Sequence, residues 1–148
     1  MADPRRWLTL AAAWLLLVGG AHLAQHVSMF VLENGMIGQR EFAMRAMRQA
    51  FTDDPLQPSF WRIFRAMSVG FGLWALFASA VSFLLARSDA SPRLLASFSL
   101  LSTVFWTLAF VAWVFVDPVL PPILAAAGVV PLYGLAWLTA NQESIAGQ

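Results

Sequence analysis

Residues 66–86 read AMSVGFGLWALFASAVSFLLA, twenty-one residues without a charge between Arg65 and Arg87. At about 1.5 Å rise per residue, such a helix is about 30 Å long, the thickness of a bilayer's hydrocarbon core. Ser68, Gly72, Ala75, Ser79, Ser82 and Ala86 recur at alternating steps of four and three. That spacing gathers the small residues on one stripe, leaving Phe71, Leu73, Trp74, Leu76, Phe77, Phe83 and Leu84 on the rest of the surface. Helices in lipid associate by close backbone approach over small residues, because lipid tails are as apolar as leucine. The stripe of Ser68, Gly72, Ala75, Ser79 and Ser82 is therefore expected to pack helices, and this helix to be the central post of a bundle.

The rest of the chain is of the same kind. Of its 148 residues, 59% are hydrophobic and 11% charged, against about 45–50% and 25% in soluble domains. A soluble fold of this size has no core large enough to hide that much apolar surface. Nine arginines, no lysine and eight acids leave a net charge of +1, too balanced to point to nucleic acid. The absence of cysteine excludes disulfides, thiolate metal sites, iron–sulfur clusters and quinone–disulfide redox chemistry.

Charges and turn residues divide the chain into one domain with four spans, at about residues 7–29, 60–87, 93–116 and 118–140. The first follows Arg5 and Arg6 and resembles a secretory signal, but its apolar run is too long for one. Ser91 before Pro92 is a helix N-cap, and Asp117-Pro118 closes the third span. Residues 141–148 read as a polar tail. Between the first two spans, at about residues 37–51, Ile37, Met44, Met47 and Phe51 share one helical face and Glu41, Arg45, Arg48 and Gln49 the opposite one. A segment of that pattern lies in the membrane–water boundary. The predicted fold is all-α: a four-transmembrane-helix bundle with an interfacial amphipathic helix between the first and second spans.

Four spans put both termini on one side. Arg5, Arg6, Arg87 and Arg93 sit tight against short helix ends there, which tips a nearly tied count toward cytoplasmic termini.

His22 and His26, the two histidines, lie one helical turn apart. Such a pair can chelate one divalent metal if a third ligand exists. It cannot supply both faces of a haem from one helix. No cofactor is expected, and structural histidines compete with a ligand- or proton-handling role. Counted from the flanking charges, His22, Trp74, Trp106 and Gly128 all fall about 13–17 Å deep. Tryptophan favours the membrane boundary, where Trp7, Trp61 and Trp137 fall. Trp74 and Trp106 at mid-depth are the candidates, with His22 and His26, for holding a flat apolar ligand; packing in the core or against lipid is the plainer alternative. Arg62 and Arg65 are candidates for a lipid headgroup or anion, or else plain snorkelling anchors. Pro131 should leave the Ala127 carbonyl without its helical donor.

Gly20-Ala21-His22, Ala43-Met44-Arg45, Phe60-Trp61-Arg62 and Gly70-Phe71-Gly72 together resemble a family of small bacterial four-helix membrane proteins of unknown function. The resemblance covers about residues 7–87. It implies the four-span architecture and supplies no activity.

Two functions from different classes are open. One is a non-enzymatic accessory subunit or binder of an apolar molecule, in a larger membrane complex or homo-oligomeric through the small-residue seam. The other is a membrane-embedded enzyme on a lipid, quinone or terpenoid, with His22 and His26 handling a proton. No acid falls inside a span, which weighs against the enzyme and more heavily against a transporter or channel. The first function is the expectation, with enzymatic activity undecided.

Overall fold

The computed structural model describes residues 3–28, 42, 45–46, 60–115 and 120–146, except for the side chains of Phe60, Trp61 and Arg62. The described chain forms four long helices: α1 (Pro4–His26), α2 (Phe60–Arg87), α3 (Pro92–Phe115) and α4 (Leu120–Ala146). Each is long and apolar enough to cross a membrane, and no strand occurs among the described residues. Leu17, Met67, Leu84, Leu101 and Leu108 point outward and exposed. An apolar surface this extensive suits lipid and not water. Of the amphipathic stretch at 37–51, only Phe42, Arg45 and Ala46 fall among the described residues, and all three are helical.

The helix ends follow from local chemistry. Asp3 caps α1, its carboxylate accepting from the Arg5 N–H at 2.9 Å, with Pro4 in the first turn. The helix thus begins three residues before the expected start at Trp7. Ser91 caps α3 by accepting from the Leu94 N–H at 3.3 Å. Arg5 ties α1 to the turn between α2 and α3, its guanidinium donating to the carbonyls of Ser88 and Ala90. These carbonyls follow the end of α2, where backbone acceptors run out of helical donors. Residues 141–146, expected as a polar tail, continue α4.

Helix α1 packs closely on both α2 and α4, and α4 on α3, whereas no comparable backbone contact joins α2 to α3. The post of the bundle is therefore α1, with α4, and not α2. The small-residue stripe of α2 lies in the α1–α2 contact. Gly19 of α1 sits so near α2 that a Cβ added there would be 2.9 Å from the Ala75 Cβ and 3.2 Å from the Gly72 carbonyl. The buried Ser79 hydroxyl donates to the Ala12 carbonyl at 2.7 Å. Gly72 and Ala75 are buried in this contact.

On the other side, α1 meets α4 through one ring. The Trp14 indole lies against Gly128 and donates to the carbonyls of Leu124 and Ala125 at 3.3 and 3.2 Å. Helix α4 runs continuously through Pro131, and the carbonyls that receive the indole are these two and not that of Ala127. The buried core, Leu8, Ala11, Leu15, Leu95, Trp106, Val129 and Tyr133 among others, gathers around this α1–α4 axis.

Candidate functional site

In a square bundle each helix touches two neighbours, and here the α2–α3 edge is the open one. Aromatic side chains hold the two helices apart. Trp74 of α2 meets Phe105 of α3 at 5.6 Å between ring centroids, and Phe71 meets Trp113 edge-on at 5.8 Å. A crevice of about 350 Å³ remains between the helices. Trp74, Phe77, Ala78 and Val81 form one wall, Phe98, Leu101, Ser102, Phe105 and Trp106 the other, and Tyr133 of α4 the floor. All ten sit well inside their helices, so the crevice lies at membrane mid-depth.

Its polar groups can be assigned proton by proton. The Ser82 hydroxyl lies 2.8 Å from the Ala78 carbonyl, which only accepts, so Ser82 donates there. The 2.6 Å contact between Ser82 and Tyr133 then has the phenol as donor. A buried hydroxyl pair bonded in this way fixes side chains and costs little.

The candidate residues divide into two groups. Trp74, half exposed, and Trp106, 2% exposed, are brought together on facing walls of the crevice. His22 and His26 are elsewhere, on the α1–α2 face around Ser68. The Nε2 of His22 lies 3.0 Å from both the carbonyl and the hydroxyl of Ser68, and the Nδ1 of His26 lies 2.9 Å from that hydroxyl. Because a carbonyl only accepts, Nε2 of His22 carries the hydrogen; this tautomer is assigned from the bonding network. Ser68 then receives from His22 and shares a hydrogen bond with His26, joining the two helices. The remaining nitrogen of His22, Nδ1, is buried with no hydrogen-bond partner among the described residues. No group of three His, Cys, Asp or Glu that could hold a metal occurs among the described residues. A row of ring contacts links the groups: His22 to Phe71 at 5.1 Å, Phe71 to Trp113, and Trp113 to Trp106 at 6.3 Å.

Arg62 lies outside the described side chains, and Arg65 is half-buried on α2. The depth count found the height of Trp74 and Trp106 but missed Tyr133, Phe98 and Ser82. Tyr133 is the one tyrosine of the chain and stands in mid-span, which was the available signal. Gly128, at the same depth, faces Trp14 and not the crevice. Compared with protein families, characterised proteins and solved structures, the chain matches none.

Proposed function

We propose that this chain is a non-enzymatic integral membrane protein that binds an apolar molecule entering sideways from the bilayer between α2 and α3. The observation that carries the reading is the open α2–α3 edge, with its aromatic crevice at mid-depth. About 350 Å³ is at the small end for ligand pockets. A small ligand therefore fits it. The alternative in which His22 and His26 exchange a proton with a substrate is weakened by their place around Ser68, outside the crevice lining.

Native mass spectrometry of gently purified protein, with lipid extraction, tests this. The expected result is a stoichiometric apolar ligand that is lost in Trp74→Ala and kept in His22→Ala. A ligand lost only in His22→Ala, or a protein free of ligand, would overturn the reading.

Both termini are placed on the cytoplasmic side of the cell membrane, following the arginines at 5, 6, 87 and 93. A C-terminal alkaline phosphatase fusion is expected to be inactive, and an active one reverses the orientation.

A further inference from the structure

We infer that the crevice takes a flat unsaturated hydrocarbon, or the part of a lipid with that chemistry, and leaves any polar group of the molecule outside. The inference rests on the crevice being the binding site. The lining exposes almost no polar atoms. The Tyr133 hydroxyl is bonded to Ser82, which is fully buried and outside the lining, so the floor offers a ring and not its hydroxyl. A carbonyl, hydroxyl or amide brought to this depth would give up its water at the membrane surface and find no replacement in the lining, a cost that a hydrocarbon does not carry.

Apolarity alone does not choose among hydrocarbons. Lipid tails are as apolar as leucine, so a chain leaving the bilayer for an aliphatic slot would gain little. Selection has to come from what the slot has and the bilayer lacks, which is rings. Six of the ten lining residues are aromatic: Trp74, Phe77, Phe98, Phe105, Trp106 and Tyr133. A saturated chain gains little from rings over branched aliphatics, whereas a flat π-system gains from offset and edge contacts. Trp74 is tilted 48° to Phe105 on the facing wall, and Phe105 stands 85° to Trp106, so ring faces and ring edges are both on offer. A rigid flat molecule also has fewer torsions to freeze on binding than a flexible chain. The size agrees. A dry apolar cavity of about 150 Å³ takes benzene, and about 350 Å³ has room for about two such rings.

The test uses probes built on one carbon skeleton: naphthalene, its saturated counterpart decalin, and 1,4-naphthoquinone. Each is equilibrated with protein in lipid nanodiscs, with empty nanodiscs as the blank, and the excess bound is read against the amount dissolved in the lipid. Naphthalene is expected to bind saturably and about tenfold more tightly than decalin, the worth of one or two aromatic contacts. Naphthoquinone should bind no more tightly than naphthalene. Trp74→Leu and Phe105→Leu, at half-exposed positions on facing walls, keep the lining apolar and each remove one ring. Either should weaken naphthalene by about threefold or more and leave decalin within about twofold. Equal affinity for naphthalene and decalin, tighter binding of naphthoquinone, or a naphthalene advantage that both leucine variants keep would overturn the inference. The crevice reading then stands or falls separately, on the ligand found by mass spectrometry and its loss in Trp74→Ala. If no probe binds, the inference falls, and if mass spectrometry also finds the protein empty, the crevice reading falls with it.

Discussion

Gly128→Ala is expected to be among the most destabilising single-methyl additions in the protein. A Cβ at position 128 would stand 2.2 Å from both Cε2 and Nε1 of Trp14 and 2.7 Å from its Cζ2. These atoms belong to a rigid bicycle, so no terminal rotamer can swing away. The ring itself must leave, and with it go the hydrogen bonds to the Leu124 and Ala125 carbonyls. Overpacking a tight contact costs about 1–3 kcal/mol, and losing the indole's bonds in lipid adds about 0.6 kcal/mol each. A total near 3 kcal/mol is expected, read as a lower unfolding midpoint by circular dichroism in bicelles. Gly134→Ala on the same helix is the control, because a Cβ there meets nothing within 4 Å. The double variant with Trp14→Phe should recover part of the loss, since the two changes act on one contact. Equal midpoints for Gly128→Ala and Gly134→Ala would refute the α1–α4 interlock.

Gly19→Leu should do comparable damage on the opposite face of α1. The nearest atoms to a Cβ at position 19 are the Cβ of Ala75 at 2.9 Å, the Gly72 carbonyl at 3.2 Å and the Leu76 nitrogen at 3.4 Å. Backbone atoms cannot yield individually, so α1 and α2 must separate. Separation breaks the bonds that depend on this spacing, from Ser79 to the Ala12 carbonyl and from the histidines to Ser68. A loss of about 3 kcal/mol follows from the same overpacking range. The neighbouring Gly20→Leu places its Cβ where nothing lies within 4 Å and should be nearly silent. A Gly19→Leu protein as stable as Gly20→Leu would mean that α1 and α2 are not in close contact.

These two glycines mark the limit of what can be read along the chain. The step of four and three from Ser68 to Ser82 announces a packing stripe, and the stripe does lie in the α1–α2 contact at Gly72, Ala75 and Ser79. Its partner residue, Gly19, was not legible, because Gly19 and Gly20 are adjacent and look alike until a neighbour stands beside one of them. The same holds for Trp74 and Trp106. Counting residues from the flanking charges gives their height in the membrane, but it says nothing of direction around the helix axis. His22 shares that height and turns to Ser68, while Trp14, passed over in the depth count, turns to Gly128.

The sequence by itself determined that the chain is a set of four apolar helices of bilayer length. The reason is that hydropathy and the charges at span ends report depth, a one-dimensional quantity written along the chain. The tertiary structure decided that α1 and not α2 is the post, that the α2–α3 edge is open, and that Tyr133 floors the crevice there. In lipid, outward and inward residues are both apolar, so hydropathy carries no signal for which way a side chain faces. That choice is made by which rings and glycines interlock, a three-dimensional fit among residues as far apart as Trp14 and Gly128 or Ser82 and Tyr133.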